Sequence, residues 1–493
     1  MKNIYIIAVA FLISLSFSAC NDYLEQLPDD RTVLDSPEKV RELLVTAYVD
    51  GTYIEFCEAM SDNVGDKSAN ANMQTLANEQ AYFWKTVTNT DNGTPVNYWR
   101  KCYHAIAVAN AALEAIDNAS NPEDYQASKG EALLCRAYHH YMLASVFCQR
   151  YNAYNAETDL GIPYVTEPES TVFGNYERKT MAYVFEKIRE DLEVGLPLIS
   201  DDNYEIPKYH FTESAAYAFA SRFYLTIGEW EKSLTCANRV LGTSAEDKIR
   251  DWAYYKTLPA EELLSIYTNS TENANVLMAG AITTIGRYSG IYRFALTIDI
   301  HKSLYDESVS GGTWLYSFFG NSLTLRMAKF KEHFKLTSIN ANTGYPYVMV
   351  PLITMEEALF NRAEALVMLG KYDEAVVDIN TFLSKRIKDY NSSNNYVSDT
   401  EFEDYYSYSK PDIDPWYETS RQQDVWLRGI LDLRRKEFIQ EGVRWFDIKR
   451  FNMVVERVGS DNKTLDILIK NDYRRAVQIP EAAIKEGMTA NPR

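Results

Sequence analysis

The stretches "FASRFYLTIGEWEKSLTCANRVL" (219–241) and "RAEALVMLGKYDEAVVDINTFL" (362–383) are built on one plan. Each runs as an amphipathic helix into a glycine, Gly228 or Gly370. An aromatic residue follows two positions on, Trp230 or Tyr372, and a second helix then begins. Glycine lets the two helices approach closely, and the aromatic fills the gap. A shorter echo is "EALLCRA" (131–137) against "EALFNRA" (357–363). Thr354 with Glu357 has the spacing of a capping box for the later copy.

Helix–glycine–aromatic–helix units of this kind resemble tetratricopeptide repeats. The copies lie far apart, so long insertions must separate them. Helical periodicity continues outside them. A Ser-Pro-Glu start at Ser36 opens an amphipathic run to Tyr48. Trp99, Tyr103, Ile106, Asn110 and Leu113 share one face of a helix over 98–117. Leu134, Ala137, Tyr141, Ala144 and Cys148 form a stripe over 129–149. Val184, Ile188, Asp191 and Leu192 do so over 180–196, with Pro197 beyond the stop. The periodicity fails over 50–97, 252–330 and 387–418, which are polar or tyrosine-rich. The expected fold is therefore all-α dominated. Tetratricopeptide-like helix pairs form one large globule, with long irregular loops and a few short strands. Such loops are the usual carriers of function.

The N-terminus reads "FLISLSFSACNDYLEQLPDD" over 11–30. Lys2 precedes an apolar run, Ile4 to Ile13, that is too short to span a membrane. Ser18 and Ala19 are small, and Cys20 follows at once. This resembles the signal peptide and lipobox of bacterial lipoproteins, which implies removal of 1–19 and acylation of Cys20. Several acyl chains at about 0.8 kcal/mol per buried methylene hold a domain on a bilayer. Residues 20–35 then read as an acidic tether, similar to the surface-export signal of some Gram-negative lipoproteins. The rest divides into an N-terminal helical region, 36–250, and a C-terminal region, 251–493.

The formal charge of −19 argues against nucleic acid or an anionic membrane surface as a partner. Cys57, Cys102, Cys135, Cys148 and Cys236 are irregularly spaced among apolar helical residues and read as small core side chains. There is no His-Glu-x-x-His, no zinc-spaced Cys/His cluster, no Gly-x-Ser-x-Gly, no Walker loop and no Gly-x-Gly-x-x-Gly. No cofactor and no metal are expected. "NTDNG" (89–93) is too incomplete for a calcium loop. Thirty-six tyrosines and eight tryptophans are many. Such side chains pair an apolar face with a polar edge, which suits sugars, interfaces and large cores alike.

The stretch "LRRKEFIQEGVRWFDIKRF" (433–451) resembles the signature of the SusD/RagB family of outer-membrane lipoproteins. The matching positions are Arg434, Arg435, Glu437, Glu441, Gly442, Arg444, Trp445, Asp447 and Arg450. "YWRKCYHAIAVANAAL", "EALLCRAYHHYMLASVF", "VFEKIREDLEVGLPLI", "TMEEALFNRAEALVMLGKYDEAV" and "AVQIPEAAIKEGMTANP" resemble further family segments in the family's order. The resemblance covers nearly the whole chain after Cys20. It implies a surface-exposed outer-membrane protein, lipid-anchored and facing the cell exterior. Such a protein captures a nutrient glycan, or in some members a peptide. It passes the ligand uncleaved to a SusC-like TonB-dependent transporter. A lipid-anchored glycoside hydrolase and a periplasmic adaptor are the competing readings.

The signature charges read as a structural ion-pair network around Trp445, with Gly442 ending a helix, rather than as an acid–base site. Ligand contacts are expected from three loop clusters, because a sugar's C–H face stacks on aromatic rings while its hydroxyls need polar partners. "SDNVGDKSANAN" offers Asp62 and Asn63, with Trp84 downstream. "GRYSGIYRF" offers Arg287, Tyr288, Tyr292 and Arg293. "GGTWLYSFFGN" offers Trp314, Tyr316, Phe318 and Asn321.

Overall fold

A computed structural model describes residues 34–168, 176–202, 204–338, 340–409, 412–459 and 463–493. Cys20, the segment before it and the tether up to residue 33 lie outside the described residues.

Helices dominate. Those that build the body are α1 (Pro37–Leu44), α2 (Ile54–Met60), α3 (Pro95–Asp117), α4 (Gln126–Phe147), α5 (Met181–Gly195), α6 (Glu213–Ile227), α7 (Trp230–Leu241), α8 (Met355–Met368), α9 (Tyr372–Ser384), α10 (Arg421–Glu437) and α11 (Val443–Arg450). Threonine starts several of them. The side chains of Thr94, Thr180 and Thr212 accept the backbone N–H three residues on, each cap being worth about 1 kcal/mol. Successive helices pack side by side, α3 on α4, α4 on α5, α6 on α7 and α8 on α9. The two repeat copies, distant in sequence, meet directly, since α7 packs on α8. Gly228 and Gly370 sit at their turns with φ of +79° and +74°. Trp230 packs edge-on against Tyr417, and Tyr372 tilts over Trp426.

Three details differ from the sequence reading. The capping box at Thr354 is half made. Its hydroxyl accepts the Glu357 N–H, but the Glu357 carboxylate pairs with Arg222 of α6 instead of turning back. The polar insertion 50–97 holds α2, of which six of seven residues are buried. A three-stranded antiparallel sheet of β1 (Asn275–Ile282), β2 (Glu332–Ser338) and β3 (Thr343–Thr354) has the order β1-β3-β2. Its long β2–β3 hairpin leads straight into α8.

The core carries charge as well as hydrocarbon. Arg250, Glu356, Arg386 and Glu437 are each at most 1% exposed and form one chain of ion pairs. Two cations balance two anions, and the hydroxyl of Tyr316 donates to Glu437 at 2.6 Å. Such a group is tolerated in low dielectric only because every charge has a partner. Cys57, Cys102, Cys135, Cys148 and Cys236 are buried and form no disulfide. Among the described residues, no helix is long and apolar enough to cross a membrane.

Candidate ligand-binding face

The 433–451 signature runs from the end of α10 through α11. Gly442 stands between the helices at φ +71°, where a Cβ would approach the Ile54 Cα to 3.0 Å. The Glu58 carboxylate of α2 accepts the N–H groups of Gln440 at 2.8 Å and Gly442 at 3.0 Å. Arg434 pairs with Asp447, Glu441 with Lys329, and Arg450 with Glu364. Trp445 is fully buried. Arg444 grips Asp62 with two bonds, of 2.8 and 3.0 Å, and Arg435 donates to the Asn63 side chain at 2.9 Å. Burial works to raise the Asp62 carboxyl, but Arg435 and Arg444 outweigh it and hold the group well below the usual carboxylate range.

Asp62 and Asn63 are therefore corrected. They are the sockets of the signature arginines rather than free sugar contacts. Trp84 is corrected too. It is 1% exposed, its indole N–H donates to the Met60 carbonyl, and Arg457 covers its ring. Trp314 and Tyr316 turn inward. The indole of Trp314 donates to the Glu307 carbonyl and the hydroxyl of Tyr316 to Glu437. In all five, the polar atoms are already spent inside the protein.

The outer parts of the three clusters nevertheless come together. Gly65–Asp66 pairs as a short antiparallel strand with Phe294–Ala295. Asp66 takes both a 2.8 and a 2.9 Å bond from Arg293. Met73 bridges to Tyr292. Lys67 draws them together, since its buried ammonium donates to the carbonyl of Gly290 in the second cluster at 2.7 Å and to that of Leu323, two residues beyond the third, at 3.3 Å. Burial pulls its pKa down to about 8. Gly290 fits because a Cβ there would strike the Thr324 carbonyl at 2.5 Å. Arg287, Tyr288, Tyr292 and Asn321 remain at this surface, half-buried or exposed. The Tyr288 and Tyr292 rings stand edge to face at 6.3 Å. Arg287 pairs with Glu332 of β2. Phe318 is half-buried against Tyr305 and His301.

Beside this face lies an open polar cleft of about 570 Å³. Asp91, Asn92 and Arg100 line one wall, and Thr283, Thr284 and Pro346 the other. Segment 282–288 lines the cleft at its start and carries Arg287 and Tyr288 at its end. The sequence reading missed Arg100 and Asn92. Their only signal was the polar "NTDNG" loop before α3. Beneath the cleft, Glu55 accepts from the Thr283 hydroxyl. Its other carboxylate oxygen is sealed without a partner. Burial raises the Glu55 carboxyl to about 7. Among the described residues, no group of three or more His, Cys, Asp or Glu is placed to hold a metal.

Two family models match the sequence. One, described as "Starch-binding associating with outer membrane", matches residues 22–225, and the other, described as the SusD family, matches 317–486. The chain belongs to the SusD/RagB family. The second match contains the whole 433–451 signature, so the SusD-type segment is the one that clasps α2 and Asp62. Solved structures share the fold. A SusD superfamily protein from Bacteroides thetaiotaomicron is 20% identical with a TM-score of 0.64, covering 94% of this chain and 100% of its own. One from Bacteroides fragilis is 18% identical with a TM-score of 0.67, covering 92% and 99%. A SusD-like carbohydrate binding protein from Bacteroides vulgatus is 17% identical with a TM-score of 0.64, covering 92% and 96%. No curated protein matches the sequence.

Proposed function

We propose that this SusD-family protein is a surface-exposed outer-membrane lipoprotein, anchored through Cys20. It binds a nutrient glycan on the face carrying Arg287, Tyr288, Tyr292 and Asn321. It then delivers the glycan, uncleaved, to a SusC-like TonB-dependent transporter. The observation that carries the reading is the convergence of three loops on Lys67. It leaves aromatic rings and polar edges together at the surface, next to an open cleft lined by Asn, Asp, Thr and Arg. A sugar needs that combination, a flat apolar ring for its C–H face and a ring of donors and acceptors for its hydroxyls. The family description, with its starch binding and outer membrane, supports the same reading.

Capture without hydrolysis is supported by the carboxyls at the cleft, since Asp91 is the one carboxylate among the described residues that lines it and Glu55 and Glu58 are engaged behind it. Glycosidases need a pair flanking the bond to be broken. Glu58 is occupied by two backbone N–H groups and by Asn63. Glu55 lies sealed under Thr283 and Gly93.

The test is calorimetric titration of the chain from Asp22 onward against a panel of oligosaccharides and peptides, with chromatography of each mixture. A glycan bound and recovered intact is the expected result. Binding of peptides alone would move the reading to a peptide lid, and a shortened glycan would replace it with a hydrolase. For the anchor, Cys20→Ala should abolish protease-accessible protein on intact cells.

A further inference from the structure

The polar cleft has a neighbour along α3. A groove of about 410 Å³ is lined on one side by Trp99, Arg100, Tyr103, His104 and Ala107. Pro163, Val165 and Glu167 stand on its opposite wall. Arg100 lines the polar cleft as well, so the two hollows meet at one side chain. Asn97, which lines the cleft, and Ala107, which lines the groove, are about 15 Å apart along the helix axis. Each hollow alone has the size of a small-molecule site, about 300–1,000 Å³.

The groove is built into the fold. The Tyr103 hydroxyl donates to the Pro163 carbonyl at 2.9 Å, and the Asn110 side chain donates to the Val165 carbonyl at 3.0 Å. The Val165 N–H donates to His140 of α4 at 3.0 Å. These bonds hold the 163–167 segment at a fixed distance from α3.

Its polar groups are unspent. Arg100 and His104 are exposed and make no hydrogen bond or ion pair, although acidic residues outnumber Lys and Arg by 69 to 50. Trp99 is only 8% exposed, and its indole N–H has no partner. A buried indole N–H usually finds one. This one is not sealed from solvent, and Trp99 lines the groove, so the donor opens into it. The Trp99 and Tyr103 rings lie 4.9 Å apart, tilted by 54°. Glu167 adds an acceptor across from them.

We propose that this groove holds the continuation of the glycan chain that enters the polar cleft. The ligand is then a polymer fragment rather than a mono- or disaccharide. The chain crosses from one hollow to the other at Arg100. Beyond that point a sugar rests against the edges of Trp99 and Tyr103, and its hydroxyls meet the Trp99 N–H, His104 and Glu167. The inference rests on the reading of the cleft as a glycan site.

The experiment is calorimetric titration of the chain from Asp22 onward with glycans of two and six units. The pairs are maltose and maltohexaose, cellobiose and cellohexaose, xylobiose and xylohexaose, and mannobiose and mannohexaose. At least one six-unit glycan should bind about tenfold or more tightly than its two-unit match. Ala107→Trp fills the groove without touching a cleft residue. It should remove that advantage and leave the two-unit affinity as it was. His104→Ala gives up no bond inside the protein, so it should melt with the parent. It should weaken the six-unit glycan about threefold and leave its two-unit match unchanged. Equal affinity for both lengths in the parent would overturn the groove and leave the cleft reading standing. So would a length advantage that survives both variants. Failure of every glycan to bind at either length would overturn the cleft reading and this inference with it.

Discussion

Replacing Glu437 with glutamine removes one negative charge and almost no volume from a fully buried ion-pair chain. Glu437 is 0% exposed and receives Arg386 Nε at 2.8 Å, Arg386 Nη2 at 3.0 Å and the Tyr316 hydroxyl at 2.6 Å. Burial alone would raise its carboxyl, and Arg386 more than offsets this, holding it below the ordinary range. In the Glu437→Gln protein, Arg386 and Arg250 must share Glu356, and one buried positive charge goes unmatched. Breaking a buried pair in this way costs about 3–5 kcal/mol, whereas replacing both partners with apolar groups of similar size is often neutral or stabilising. Urea unfolding should therefore show a lower midpoint for Glu437→Gln with an unchanged slope. A protein carrying both Glu437→Leu and Arg386→Met should recover most of the loss, since Glu356 keeps Arg250. The reasoning is refuted if the single change costs under about 1 kcal/mol, or if the double change is no better than the single one.

Two further outcomes follow from the same geometry. Burial holds the Glu55 carboxyl at about 7 in the fold against 4.5 ordinarily. Between those values the folded chain keeps a proton that the unfolded chain releases, so this group's contribution falls as pH rises and its penalty is complete above about 7. Glu55→Gln should thus stabilise the protein by about 1–3 kcal/mol at alkaline pH, and little near pH 4. Urea unfolding at the two pH values checks it. At the surface, Tyr288→Ala should weaken glycan binding about tenfold, near 1.4 kcal/mol, with the unfolding midpoint preserved. Calorimetry beside a melting curve separates the two effects.

The fold was largely legible because its signals are local. Gly228 and Gly370 mark their turns by themselves, and the stripes on α3, α4 and α5 repeat within a few turns. The N-terminal reading of Cys20 rests on residues that the structure does not describe. What was not legible depends on distance along the chain. Asp62 and Asn63 looked like polar loop residues because their partners, Arg444 and Arg435, lie more than 370 residues away. Trp84, Trp314 and Tyr316 looked available for stacking because a sequence does not tell which side of a loop faces Arg457 or Glu437. The helix α2 was hidden because Glu55 and Glu58 break its apolar run, although both face inward. By contrast, Arg287 and Tyr288, on the four-residue helix Ile285–Tyr288, and Tyr292 and Asn321 do reach the surface, and their place among polar and glycine residues in the sequence was the signal for that exposure.

The most direct test of the central claim is amide hydrogen exchange, comparing the free protein with protein saturated by the glycan found in the titration panel. The account predicts slowed exchange in 66–76, 286–293 and 320–324, the segments joined at Lys67, and in the cleft wall at 90–94. Slowing confined to the helical body, or no slowing in those loops at saturation, would contradict it.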